Sequence, residues 1–269
     1  MRLLVQFGRV NVCLALILSA MSVFLAGCGP AAEKAVEQTI EEAYPIDPAG
    51  ILSIRNPLGS IRIYGSDDSE VKVQAIKKAS SASQLNGITV KVSGKPVAIS
   101  LETIFPPQKT WIFSSRAGSV DYSISVPRLV RIGRLEIGNG DVVIENMRAD
   151  IHANLVNGTL TARNCFGNTE LSVANGRLDL YYEKWEERTF SVDARIISGN
   201  VRAFLPSHGS FHLLAETVNG KILDHFSDTG QRNPRRATKV NLSIGADTGS
   251  EIAIRATDAD IELESIGTK

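Results

Sequence analysis

Side chains fit for acid–base, nucleophilic or metal chemistry are few and scattered in this 269-residue chain. Hydrolysis or elimination on a polysaccharide needs two carboxylates at a set distance, or a cation with a base. Asp141 and Asp179 come nearest to that requirement. They occupy outward positions of predicted strands two repeats apart, with Thr159 between them, and read as solvated surface. His152, His208, His212 and His225 are dispersed. His208 and His212 flank a Gly-Ser strand start instead of lying on a helix, so their spacing does not suit a metal. No serine stands in a strand–turn–helix nucleophile setting, and no histidine neighbours Cys165 in sequence. The expectation is therefore a non-enzyme, with no metal and no cofactor.

Two stretches suit binding better than catalysis. Tyr181-Tyr182-Glu183-Lys184-Trp185-Glu186-Glu187-Arg188 lengthens one repeat by five residues. Aromatic rings flanked by charges stack on sugars and favour interfaces, so Tyr181, Tyr182 and Trp185 are candidate contacts; their plainer role is to cover a corner of the fold. The second stretch, Gln231 to Lys239, places Arg232, Arg235, Arg236 and Lys239 within eight residues. Pro234 and Ser227-Asp228-Thr229-Gly230 exclude regular structure, which predicts a surface loop. Its guanidinium forks suit phosphate or carboxylate; the plainer reading is a solvated loop.

Between residues 132 and 226 a single pattern is written five times. Its anchors are Asn139-Gly140, Asn157-Gly158, Asn175-Gly176, Ser198-Gly199 and Asn219-Gly220, whose glycines stand 18, 18, 23 and 21 residues apart. That interval is the scale of one coil in a repeat fold. Positions two and four after each glycine, and three and five before it, are apolar in 18 of 20 cases. The exceptions are Thr217 and Asp224. The positions between them are polar and varied, so each repeat reads as strand, turn, strand.

Two architectures satisfy this pattern. Asn-Gly is a strong hairpin signal, because both residues accept positive φ, and hairpins give an antiparallel meander or sandwich. Alternatively each repeat is one coil of a parallel β-solenoid, with equivalent strands stacked at about 4.8 Å and the Asn side chains forming an amide ladder. The column two before the glycine (Gly138, Val156, Ala174, Ile197, Val218) favours the solenoid, whose corner turns such residues inward.

Met1 to Gly27 carries Arg2 and Arg9, then a largely apolar run from Val10 to Leu25, and no acidic residue. This is the pattern of a secretory signal peptide. Leu25-Ala26-Gly27-Cys28 follows and resembles the lipobox of bacterial lipoproteins. The resemblance implies cleavage before Cys28 and acylation of that residue, and several acyl chains give lasting membrane attachment. Gly29, in place of Asp, points by analogy to the outer membrane. Removing residues 1–27 leaves 27 basic and 29 acidic residues. A net charge near −2 argues against nucleic acid as a partner. Cys13 leaves with the signal and Cys28 is lipidated, so Cys165 stands alone and no internal disulfide forms.

Residues 28–37 read as a tether and 38–269 as one repeat domain. In its first coil Asn56 takes an apolar place and Leu58 takes the Asn place. After the array come strands between residues 240 and 265 that would close the end of a stack. The lipobox, Glu42-Ala43-Tyr44-Pro45-Ile46, Gly59-Ser60-Ile61-Arg62-Ile63-Tyr64-Gly65 and the serial Asn-Gly coils together resemble a family of bacterial envelope β-strand-repeat proteins of unknown function labelled as candidate adhesins. The likeness covers about residues 38–265. It implies an all-β fold, a right-handed parallel β-helix with coils of about 18–23 residues, and no defined catalytic residues. Asn56-Pro57-Leu58-Gly59 and Asp224 depart from its pattern at the end coils.

The sequence thus describes a lipid-anchored, non-catalytic envelope protein with a membrane attachment at Cys28 and an envelope glycan or protein as its partner. The alternative is a polysaccharide-active lyase or hydrolase on the same fold. Cys28→Ser is expected to abolish incorporation of labelled palmitate, leaving precursor or a secreted form. Unchanged acylation of that variant would overturn the lipoprotein assignment.

Overall fold

The period-two alternation becomes strand along most of the chain. The computed structural model describes residues 35–107, 118–225, 235–246 and 249–267, all in one compact unit, Ala35–Lys269. The signal peptide, Cys28, most of the tether and Arg232 lie outside the described residues. The strands are β1 (Val36–Pro45), β2 (Ile51–Leu58), β3 (Ile61–Ser66), β4 (Glu70–Ala79), β5 (Thr89–Lys95), β6 (Ala98–Ile104) and β7 (Ser119–Pro127). The repeats then form β8 (Arg131–Glu145), β9 (Ile151–Arg163), β10 (Thr169–Tyr181), β11 (Ser191–Pro206), β12 (Phe211–Thr217) and β13 (Ile222–Asp224). Last come β14 (Arg235–Ala237), β15 (Lys239–Ile244) and β16 (Glu251–Ile266). A short helix, α1 (Ala82–Gly87), is capped by the Ser81 side chain and buries Leu85. Among the described residues no helix is long and apolar enough to cross a membrane.

These strands form one mixed all-β sheet that does not close on itself. Its main path runs β1-β4-β7-β3-β8-β9-β10-β11-β16-β12-β15. Pairing from β3 through β8 to β12 is parallel, while β1, β4 and β15 add antiparallel. Each of β8 to β11 runs straight through its anchor dipeptide. The dipeptide therefore bends a strand instead of joining two. Gly140, Gly158, Gly176 and Gly199 adopt φ of +148°, +137°, +133° and +133°, a region that side chains disfavour.

Register follows from these glycines. Gly140 pairs with Gly158, Gly158 with Gly176, and Gly176 with Gly199. A Cβ on Gly158 would stand 1.9 Å from the Gly140 carbonyl oxygen, and one on Gly176 2.0 Å from that of Gly158. Beside them the expected amide ladder forms. Asn157 Nδ2 donates to Asn139 Oδ1 at 2.8 Å, and Asn175 Nδ2 to Asn157 Oδ1 at 3.1 Å. With register fixed, the apolar positions fall into continuous columns. Leu135, Ala153, Leu171 and Ala194 form one, and Val142, Leu160, Leu178 and Val201 another, all buried. Each fully buried Leu or Ile stabilises the fold by about 1.5–3 kcal/mol.

The first coil stacks as its sequence indicates. Leu58 lies opposite Asn139 and Asn56 opposite Ile137. Asn56 is fully buried and donates to the Val120 carbonyl at 2.8 Å.

Three expectations need correction. The fifth repeat does not stack on the fourth: β16 inserts between β11 and β12, with Ala259 opposite Gly199. Of the expected end strands, β16 thus enters the array, while β15 lies at its edge as expected. Second, the column two before each glycine stays outside, with Val156, Ile197 and Val218 50–71% exposed; the parallel register owes nothing to their burial. Third, the basic stretch is not wholly a loop, since Arg235–Ala237 pairs antiparallel with Ile222–Asp224 and Lys239 opens β15.

Replacing Gly158 or Gly176 by Val is expected to cost about 3 kcal/mol or more, combining positive-φ strain with a backbone clash. Thr159→Val, whose backbone N–H still donates to Asp141 Oδ1, is expected to stay within about 0.5 kcal/mol. Urea melts of the three variants check both; equal stabilities would contradict the close glycine stacking.

Candidate functional site

Positions two and four after each glycine point into the core, so positions three and five point out. In register they form two adjacent ladders. One runs Arg62, Val143, Thr161, Asp179, Arg202, Glu262; the other Tyr64, Glu145, Arg163, Tyr181, Phe204, Glu264. The two halves of this surface differ in what they offer.

Neighbouring rungs bind one another. Arg202 grips Asp179 with two hydrogen bonds, Nε to Oδ1 at 2.9 Å and Nη2 to Oδ2 at 2.8 Å. The carboxylate is only 6% exposed and the guanidinium 30%. Those hydrogen bonds hold the Arg202 guanidinium above its usual range. Arg163 stands 3.2 Å from Glu145 Oε1, pairs with Glu183, and lies 4.8 Å from the Tyr181 ring centre. On its other side Tyr181 stacks on Phe204, with centroids 4.6 Å apart and planes within 3°. Arg202 in turn lies 5.8 Å from the Phe204 ring. Tyr181 is thus held between the Arg163 guanidinium and the Phe204 ring.

A shallow groove of about 500 Å³ runs over this surface, lined by Arg62, Tyr64, Glu145, Arg163, Asp179 and Tyr181 among others. Its size falls in the range of small-ligand sites. Tyr64 is half exposed, the most exposed ring of the groove among the described residues.

The candidate residues are not gathered in one place. Tyr181 lines the groove. Tyr182 points the other way and is fully buried, its hydroxyl donating to the Cys165 carbonyl at 2.8 Å. It packs with Phe166 and Phe190, while Trp185 sits 5.4 Å from Phe190 and 5.0 Å from Phe211. Tyr182 is thus a core residue, and Trp185, within the inserted loop, is half-buried. Arg148, hydrogen-bonded to Glu186 at 2.8 Å, ties that loop down. Lys239 pairs with Glu216 at 2.5 Å, an ion pair that lowers the Glu216 carboxyl below its usual range. The side chains of Arg235 and Arg236 lie outside the described residues.

The carboxylates weighed for catalysis also separate. Asp141 is exposed and accepts from the Thr159 N–H, whereas Asp179 is buried and held by Arg202. Asp179 is therefore not solvated surface; its partner, 23 residues away, becomes visible once repeats are aligned by their glycines. Burial pushes the Cys165 thiol up to about 12, so it is inert near neutrality. His225, Glu262 and Glu264 bring donor atoms together at the far end of the ladders.

No protein-family model matches the chain, and no curated protein matches it. Solved structures similar to it include a candidate cell adhesion protein from Clostridium sporogenes ATCC 15579, with 16% identity, TM-score 0.45, and 85% of this chain and 100% of the other covered. A candidate adhesin from Bacteroides fragilis NCTC 9343 has 13% identity and TM-score 0.31 over 85% of this chain and 97% of its own. A candidate lipid-binding protein from Parabacteroides distasonis ATCC 8503 has 12% identity and TM-score 0.35, covering 86% and 95%.

Proposed function

We propose that this chain is a lipid-anchored, non-catalytic protein of the bacterial outer membrane, built as a right-handed parallel β-helix, and that it acts as an adhesin-like module for an envelope glycan. The groove carries this reading. Its Arg163, Tyr181, Glu145 and Asp179 side chains are held by stacking and ion pairing before any ligand arrives. Preorganised donors and acceptors of that kind bind a polyhydroxylated chain at low entropic cost. Tyr64 adds an exposed ring at one end of the ladder, suited to the apolar face of a sugar. An extended ladder also matches the repeating form of a polysaccharide.

A lyase or hydrolase is the less favoured alternative. Glu145 and Asp179 in the groove are committed to Arg163 and Arg202. Glycoside cleavage needs one carboxyl free to give a proton and a second free to act at a set distance, whereas these two are each held by a guanidinium. The anchor rests on residues 1–28 and is independent of the groove.

Full-length protein in detergent, tested on immobilised acidic and neutral envelope polysaccharides with product analysis in parallel, decides between these readings. Expected is binding without turnover, weakened about ten-fold (~1.4 kcal/mol) by combining Tyr64→Ala with Arg163→Ala at unchanged melting temperature. Absence of binding to every glycan, or release of shortened products, would refute it.

A further inference from the structure

The far end of the ladders breaks the rule that governs the rest. Over the groove each carboxylate has a guanidinium partner: Glu145 and Glu183 have Arg163, and Asp179 has Arg202. Glu262 and Glu264 of β16 show no such ion pair among the described residues. Among the described residues no lysine or arginine nitrogen lies within 4.0 Å of either. The Arg202 guanidinium, beside Glu262 in the ladder, is already taken by Asp179. What faces the two carboxylates is His225, just beyond β13.

Backbone register puts it there. Asp224 pairs with Leu263, and the His225 N–H donates to the Leu263 carbonyl at 3.0 Å. The next outward position therefore sets His225 beside Glu264, with Nε2 3.8 Å from Oε1. Glu262 lies two residues back on the same face. One donor atom from each residue falls within 4.8 Å of the other two, and all three residues are half-buried.

We propose that His225, Glu262 and Glu264 form a binding site for a divalent transition cation such as zinc. Zinc takes imidazole nitrogen and carboxylate oxygen at about 2.0–2.2 Å, so the donors need only close by on the order of 1 Å, which side-chain rotation supplies. A divalent charge relieves the repulsion between the two neighbouring carboxylates. Calcium, which prefers six to eight oxygens, fits an imidazole-containing trio poorly. Three protein donors leave a coordination position toward solvent. The site stands apart from the glycan reading and does not depend on it.

The test is titration of EDTA-stripped, full-length protein in detergent with zinc chloride, followed calorimetrically, with manganese and calcium chloride in parallel. Expected is one zinc per chain, with His225→Ala and Glu264→Gln each weakening binding by roughly ten-fold or more and calcium giving no comparable heat. Where His225→Ala melts below wild type in EDTA, His225→Phe, which keeps ring volume without ring nitrogens, is read instead. No zinc uptake up to millimolar concentration overturns the proposal. So does uptake unchanged by His225 and Glu264 substitution, which would locate the metal elsewhere.

Discussion

Close approach of backbone at the glycine column is the constraint on which this structure depends. From Gly140 to Gly199 each carbonyl oxygen lies where the next residue's Cβ would be, at 1.8–2.0 Å. No Cβ tolerates that distance, and positive φ excludes most side chains independently. The two requirements coincide only in the bend of each strand, so they fix its position and its register together. The amide ladder from Asn139 to Asn175 reinforces the same alignment from the side-chain direction. At β16 the constraint relaxes: Ala259 replaces glycine, and Asp258 accepts from Asn219 at 2.7 Å in place of an asparagine.

Zero-shift register has a second consequence on the surface. Residues equivalent in sequence become lateral neighbours in space, so an outward column is a row of different side chains about 4.8 Å apart. Where the row alternates in charge and aromaticity, neighbours bind one another, as in Glu145, Arg163, Tyr181 and Phe204. Half-exposed pairs of this kind add only about 0–1 kcal/mol each to stability. Their effect is orientation: they hold long side chains in one geometry, while the buried columns beneath supply the stability. The titratable groups of that surface are engaged with one another.

Much of this was legible in the sequence, since alternation and the Asn-Gly spacing identify strands and columns directly. Leu58 in the Asn place and Asn56 in an apolar one were legible too, because they shift no neighbour. The insertion of β16 was not. Asp258-Ala259 lacks the anchor dipeptide, and its columns (Ile254, Ala256, Ile261, Leu263) look like any amphipathic strand until paired with Ala194, Ile196, Val201 and Ala203. Proximity in the chain suggested that Asn219-Gly220 would follow Ser198-Gly199, yet parallel pairing is indifferent to chain order once a connection is long enough. The candidate site was half legible. Tyr181 was singled out for its neighbours in sequence, but its partners Arg163 and Phe204 are neighbours only in register. Tyr182 was misplaced because alternation at the strand's end turns it toward Phe166 and Phe190.

Parallel, in-register stacking of the repeats is the central claim, and disulfide trapping on the outer face tests it most directly. Thr159 and Arg177 are register partners on adjacent strands, within the Cα separation of about 4.4–6.8 Å that a disulfide spans. Asp141 and Arg177 are two strands apart. In full-length protein, whose Cys165 is buried, mild oxidation should cross-link the Thr159→Cys, Arg177→Cys pair efficiently and leave the Asp141→Cys, Arg177→Cys pair reduced. A reduced first pair in folded protein, or equal cross-linking of both, would contradict the stacking.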